Sequence, residues 1–410
     1  MTEKDKFQLE NVVNTVENLV IENADNYSTS EFRETLNDIF KAKEVINAFP
    51  GYKYVSALES EDHKPHNMFR GVDVGFGGYV YANPGIYYKV TCFDVSGMHP
   101  ASAIALNAFG EYTQRYKDIV DIRQAIKHKD FEAASQMLGG ALKEHLTDES
   151  KAKDLSKALK IAVNSVYGLT SASFDNPFRD NRNINNIVAL RGALFMKTLQ
   201  DELESKGVKV IHIKTDSIKV VEPTEEISQF IFDFGHEYGY NFEIEHVFDR
   251  ICLVNDAVYI AKLSEDDPEE PGQWTATGTQ FQVPYVFKTL FSKEPIEFKD
   301  MCETKSVKSA MYLDFSEGSE EGTHNYRFIG KVGLFCPIKP GCGGGYLMRE
   351  NEATGKMGAV TGTKGYLWME ADDVKTLEKE DCIDKSYYKK LVDDAVDTIS
   401  QFGDFEAFAS

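Results

Sequence analysis

Apolar residues recur at three- and four-residue intervals over residues 7–49, broken at Asn23-Ala24-Asp25-Asn26 and stopped at Pro50-Gly51. This spacing predicts an N-terminal helical segment within residues 1–70. The period then changes. Gly77-Gly78-Tyr79-Val80-Tyr81, a turn at Asn83-Pro84-Gly85 and the run from Ile86 to Phe93 read as two strands of a hairpin, with Asp94 at its end. Residues 101–146 and 152–166 are helical in pattern, and 184–206 form another amphipathic stretch. A second hairpin follows: Val208 to Ile213, a break at Lys214-Thr215-Asp216, and Ser217 to Val221, with an acid at its tip. Helical spacing returns over 224–238, and strands are expected at 242–247 and 252–261. The acidic, proline-bearing run from Ser264 to Gly272 marks a module boundary. Beyond it glycine, aromatic and β-branched residues dominate, with a short helix near 387–400 and no internal repeat.

A chain of 410 residues has room for two to four packed modules. It contains no run of about 18 apolar residues, the length a membrane helix needs. Its first residues, Met1-Thr2-Glu3-Lys4-Asp5-Lys6, lead into no apolar stretch of the secretory kind. Six scattered cysteines without a Cys-x-x-Cys pair argue against a zinc site or a disulfide framework. Reduced, half-buried thiols are therefore expected, in a cytoplasm (the host's, if the protein is viral). The net charge of −21 opposes nucleic-acid binding at first sight. Residues 111–200, however, hold 14 Lys and Arg against 11 Asp and Glu, so a phosphate-binding surface would lie there.

Asp94 and Asp216 each stand at a strand end or hairpin tip, where backbone geometry holds a carboxylate rigidly. Singly, such residues commonly form turns or caps. Together they suit phosphoryl transfer, in which two Mg²⁺ ions about 3.5–4 Å apart stabilise the attacking and leaving oxygens. Between them, Lys160, Asn164 and Tyr167 fall at i, i+4 and i+7, which gives one helix face an ammonium, an amide and an aromatic platform. Arg123 and Lys127 form a second basic pair at i, i+4, a pattern that a solvated helix surface also produces.

Three segments, in order, resemble motifs A, B and C of family B DNA polymerases: Asp94-Val95-Ser96-Gly97-Met98-His99-Pro100, Lys160-x3-Asn164-Ser165-x-Tyr167-Gly168, and Lys214-Thr215-Asp216-Ser217. The resemblance covers roughly residues 69–262, and its compact form is similar to bacteriophage enzymes. It implies an α+β right-hand polymerase: palm residues 71–110 and 200–263 with an antiparallel sheet, helical fingers with motif B over 111–199, and a thumb-like β-rich module over 273–410. It implies Asp94 and Asp216 as ligands of two Mg²⁺ ions. Arg123, Lys127 and Lys160 would meet the incoming triphosphate, with Asn164, Tyr167 and His99 against the nascent pair and its sugar. Glu245 matches a further palm carboxylate. Gly77 and Gly78 resemble a glycine pair that lets the template backbone pass, a place where a plain β-turn serves equally. Primer–template DNA and deoxynucleoside triphosphates are the implied partners.

The chain departs from the family pattern at three places. Lys214 replaces the first acid of motif C, which would lower the pKa of Asp216 or compete with metal. His99 replaces the sugar-sensing tyrosine. The primer-gripping Lys-x-Tyr corresponds to Ala257-Val258-Tyr259, with Lys262 as a substitute cation. His99 leaves RNA templates or ribonucleotides open. Lys214, the missing lysine and the acidic balance motivate a degenerate polymerase fold that binds DNA or a replication partner. The residues ahead of Asp94 are too few for the family's usual exonuclease module, so the chain is not expected to proofread unaided, and any proofreading would need a separate exonuclease polypeptide. Past residue 271, the loop from Gly341 to Tyr346 offers amides to a phosphate or forms a flexible β-loop. The run from Thr361 to Trp368 suggests either a nucleic-acid groove or an apolar core strand.

Overall fold

A computed structural model describes residues 48–170, 172, 174, 176, 186–316, 322–351 and 354–410. These form a mixed α/β protein with antiparallel sheets and helices, divided into two compact units. Residues up to 83 and 90–247 make the first, and residues 84–89 and 248–410 the second. Most of the helical segment expected within 1–70 lies outside the described residues. Its described end instead carries a small antiparallel sheet of β1 (Tyr52–Val55), β2 (His66–Phe69) and β3 (Val72–Asp73). Phe69 and Tyr52 are buried in the core there, and the Tyr52 hydroxyl donates to Asn67 Oδ1 at 2.9 Å.

The main sheet of the first unit has strand order β8-β5-β7-β6-β4. The strands are β4 (Val80–Ala82), β5 (Gly85–Val95), β6 (Val210–Lys214), β7 (Ser217–Val221) and the start of β8 (Phe242–Asn255). The second hairpin forms as its sequence indicates, with Ile213 opposite Ile218. The first expected hairpin does not. β4 pairs with β6, β5 pairs with β7, and the β6–β7 hairpin lies between them. Strand β6 buries Val210, Ile211, His212 and Ile213 in succession, so it belongs inside the sheet. The short, half-exposed β4 is left to the edge. The two strands expected at 242–247 and 252–261 are instead the single long β8 and a separate β9.

Helices cover this sheet. The pattern over 101–146 resolves into α1 (Met98–Ala105), α2 (Thr113–Lys127) and α3 (Phe131–Gln136). Breaks fall where Asn107 and Lys129 adopt positive φ angles of 47° and 61°. Next come α4 (Glu149–Thr170), α5 (Ile187–Ser205) and α6 (Glu225–Glu237). Helix α5 is buried all round, including Arg191 and Lys197, as expected of a helix through the middle of a core. Arg191 donates to the Tyr238 carbonyl at 2.8 Å, and Lys197 pairs with Asp201. Phe93, Val95, Phe195, Leu199, Ile213 and Ile218 join one hydrophobic cluster, and Ile122, Ile126, Ala134, Leu146 and Ala152 fill a smaller one among the helices around α2.

In the second unit the end of β8 continues into β9 (Val258–Leu263) and β10 (Trp274–Thr277). A five-stranded sheet follows, in the order β14-β13-β11-β12-β15. Its strands are β11 (Glu303–Asp314), β12 (Tyr326–Ile338), β13 (Tyr346–Glu350), β14 (Met357–Ala359) and β15 (Leu367–Glu370). It shares a core with α7 (Ala371–Thr376) and α8 (Lys385–Ser400). Trp368 belongs to this core. It is fully buried, and its indole N–H donates to the Thr363 carbonyl at 3.1 Å, so it offers no exposed groove aromatic. The Gly345 amide donates to the Trp368 carbonyl at 2.9 Å, and so is spent on the ladder. No helix among the described residues is long and apolar enough to cross a membrane.

Candidate active site

Asp94 sits half-buried near the end of β5, after Val90, Cys92 and Phe93 have anchored the strand in the core. Its ladder partner on β7 is Ser217, so the neighbouring Asp216 falls beside it. The Val95 amide donates to the Asp216 carbonyl at 2.9 Å, and the Ser96 amide to the Asn241 carbonyl at 2.8 Å. The turn carrying Asp216 is centred on Thr215, a β-branched residue at φ 58°. The Thr215 amide donates to the Tyr79 carbonyl at 3.0 Å, and the Asp216 amide folds back to Lys214 at 2.8 Å. Gly78 makes this possible: a Cβ there would lie 2.9 Å from the Thr215 side chain, and its φ of 132° is strained for other residues.

Burial raises the Asp94 carboxyl to about 7, reinforced by the charges of Asp216 and Glu245 and opposed by Lys127. Burial likewise raises Asp216, with Glu245 adding to it and His99 opposing. Lys214 is exposed at the end of β6 and does not line the cavity. Asp216 is displaced upward, contrary to the lowering expected from that lysine.

Cations approach from the helices. Arg123 and Lys127, one turn apart on α2, and Lys160, Asn164 and Tyr167 on α4 line one cavity of about 540 Å³ with Asp94, Asp216 and His99. The structure thus brings together eight residues drawn from β5, α1, α2, α4 and the β6–β7 turn. Gly77, Gly78, Tyr259 and Lys262 are not among its lining residues, and the last two lie on β9 in the second unit. Within β9–β10, Lys262 stands opposite Trp274. Lys160 is exposed and has no carboxylate partner among the described residues. Arg123 Nε and His99 Nδ1 are buried polar atoms without a hydrogen-bond partner, groups that a ligand could satisfy.

His99 and Tyr167 stack with ring centroids 5.3 Å apart and 21° between planes. Burial lowers the His99 pKa, which favours the neutral ring. The Tyr167 hydroxyl donates to Asn186 Oδ1 at 2.7 Å, and Asn186 Nδ2 donates to the Phe76 carbonyl at 2.6 Å. That relay fixes the aromatic wall against the start of α5.

Sequence reasoning passed over Glu243. This residue accepts from Ser96 at 2.9 Å, contacts His128 Nε2 at 2.9 Å and pairs with Lys127. Burial alone would raise its carboxyl, but the bonds from Lys127 and Ser96 outweigh that and hold it low. Gln124 completes the hub by donating to the Ser96 hydroxyl at 2.6 Å. The alternation of Glu243 and Glu245 along one strand placed them on one face; nothing local could have pointed to a lysine 116 residues away.

The donor set suits a hard divalent cation. Two carboxylates, both displaced upward by burial and by the charge of Glu245, and Asp94 also by that of Asp216, form an excess of negative charge that a divalent cation would neutralise. Among the described residues no group of three or more His, Cys, Asp and Glu side chains forms a ready-made metal cage.

No family model and no curated protein matches the chain. Among solved structures it is similar to that of the family B DNA polymerase from the hyperthermophilic archaeon Pyrobaculum calidifontis, with 12% identity and a TM-score of 0.43. The alignment covers 95% of this chain and 53% of that one, so this chain spans about half the length of that polymerase.

Proposed function

We propose that this chain is a template-directed DNA polymerase that extends a primer by nucleotidyl transfer from deoxynucleoside triphosphates. The observation that carries the reading is the convergence, in one cavity, of Asp94 and Asp216 from adjacent strands with Arg123, Lys127 and Lys160 from two helices. Two acids opposite three cations provide for both halves of the reaction, the reacting oxygens and the triphosphate. The order of the motifs A, B and C along the chain supports the same reading.

In this reading Asp94 and Asp216 hold Mg²⁺, which, when bound, supplies charge stabilisation for the attacking and leaving oxygens. Arg123 and Lys160 bind and orient the triphosphate, the unpartnered Arg123 Nε gaining an acceptor. Lys127 reaches the same phosphates by exchanging Glu243 for them, and Glu243 then keeps Ser96 and His128. The stacked His99–Tyr167 pair forms an apolar wall against base and sugar. Primer–template DNA and deoxynucleotides are the partners.

The test is primer extension by purified chain, with and without Mg²⁺, beside Asp216→Ala. Template-dependent extension that requires Mg²⁺ and falls by orders of magnitude in the variant is expected. Undiminished extension by Asp216→Ala would remove the two-carboxylate site. Tight duplex binding without any extension would leave the non-catalytic, DNA-binding reading.

A further inference from the structure

Four of the six cysteines, scattered in sequence, are paired by the fold of the second unit. Cys302 and Cys336 lie with sulfurs 3.4 Å apart, and Cys336 is fully buried. The second pair is Cys342 and Cys382, both half-exposed. It sits between two turns of matching design. Lys339-Pro340-Gly341-Cys342 closes with the Cys342 amide donating to the Lys339 carbonyl at 3.2 Å, and Gly341 supplies the positive φ of 81° that follows the proline. Lys379-Glu380-Asp381-Cys382 closes with the Cys382 amide donating to the Lys379 carbonyl at 3.0 Å.

The two turns are fastened to each other. The Lys339 amide donates to the Cys382 carbonyl at 2.9 Å, and Ile338 bridges Ile383. Lys379 Nζ donates to the Cys342 carbonyl at 2.6 Å, and Lys339 Nζ to the Asp381 carbonyl at 2.8 Å. These bonds hold Cys342 and Cys382 beside each other, each at the end of its own turn, and the Cys382 thiol is near enough to act on that of Cys342. Each lysine therefore holds the opposite turn, and both ammonium groups lie close to a pair of accessible sulfurs.

We propose that Cys342 and Cys382 form a dithiol site that exchanges with small-molecule disulfides to close a reversible intramolecular disulfide. One thiolate attacks a sulfur of a disulfide such as oxidised glutathione, forming a mixed disulfide and releasing one glutathione thiolate. The second cysteine's thiolate then attacks the bound cysteine's sulfur, forming the Cys342–Cys382 bond and releasing the second glutathione. The two protons lost by the cysteines are taken up by the two glutathione thiolates, and the protein pair is oxidised as the glutathione disulfide is reduced. Lys339 and Lys379 favour the thiolate form, while the hydrogen bond with Cys382 and burial hold the Cys342 thiol above its ordinary range, so exchange quickens as pH rises. The Cys302–Cys336 pair is closer to the core, and burial pushes the Cys336 thiol far up, so it lags.

The experiment treats the reduced full chain with graded ratios of oxidised to reduced glutathione, quenches with acid and maps thiols by mass spectrometry. The expected result is a Cys342–Cys382 disulfide, seen as the loss of two hydrogens, forming before any Cys302–Cys336 bond and reversed by dithiothreitol. Cys382→Ser should instead trap one glutathione on Cys342, seen as the mass gain of one glutathionyl group. Cys302→Ser should leave the outer disulfide unchanged. A persistent mixed disulfide in the wild type, prior closure of the inner pair, or no loss of thiols at Cys342 and Cys382 would each overturn the proposal.

Discussion

The backbone N–H of Val95 donates to the carbonyl oxygen of Asp216 across 2.9 Å. This one bond joins the end of β5 to the β6–β7 turn and sets two carboxylates, 122 positions apart in the chain, side by side. The sheet ladder thereby holds together two like charges that repel, and the stability of the fold bears the cost.

Asp94 should therefore work against the fold at alkaline pH. Its folded pKa of about 7 lies above the ordinary 3.8, so the folded state binds the extra proton between those values. Stability attributable to the group is present at low pH and is lost as pH rises through 7. A shift of this size is worth ~4 kcal/mol undiscounted, and about half that for a site open to solvent. Asp94→Asn should unfold later than wild type at pH 8 and close to it at pH 4, with added Mg²⁺ stabilising only the wild type. Equal denaturant midpoints for the two proteins at pH 8 would contradict this.

Removing a phosphate-binding cation should act on the nucleotide and spare the DNA. A hydrogen bond to a charged group is worth about 1.5–3 kcal/mol. Lys160→Ala and Arg123→Ala should accordingly raise the KM for deoxynucleotide by roughly ten- to a hundredfold, with primer–template affinity little changed. If steady-state kinetics show an unchanged KM and binding assays a weaker hold on DNA, these residues belong to a backbone groove.

Gly78→Ala tests the support beneath Asp216. The added Cβ would meet Thr215 at 2.9 Å in a backbone conformation that L residues rarely adopt. A destabilisation of about 1–3 kcal/mol is expected, together with loss of extension activity as the turn shifts. Gly77→Ala is the control, since nothing lies within 4 Å of its Cβ position. Equal effects of the two substitutions, measured by thermal unfolding and by extension, would show that the Thr215 contact does not position the turn.

The His99–Tyr167 stack should govern the choice of sugar. Imidazole is smaller than phenol and leaves more room beside a 2′-hydroxyl, the group that separates ribonucleotides from deoxynucleotides. His99→Tyr should reject ATP in favour of dATP more strongly than wild type. Identical competition ratios in both proteins would take His99 out of this role.

Local pattern was enough to indicate the second hairpin, the helices over residues 152–166 and 184–206, and the helix near residue 387, because each has a clear period and its own stop signals. It was also enough to single out the acids, the basic pair on α2 and the amide and aromatic on α4. A residue type at a helical or strand spacing already specifies which face it shares. The partnering of strands was not legible. β4 and β5 are adjacent in sequence and carry a turn between them, yet burial of β6 from Val210 to Ile213 decided that the hairpin from residues 210–221 should lie between them. Glu243 as the partner of Lys127, Thr215 in a left-handed turn resting on Gly78, and the pairing of Cys342 with Cys382 were equally invisible. Each depends on contacts between distant segments. Such contacts are selected by how the whole core packs, since burial and hydrogen-bond satisfaction are properties of the assembled sheet and helices. The kinds of side chain and their local faces were thus decided by the sequence alone. The tertiary structure decided which of them meet, and burial together with the closeness of that meeting raised the pKa of Asp94, bound Lys127 to Glu243 and set the half-exposed Cys342 and Cys382 beside each other.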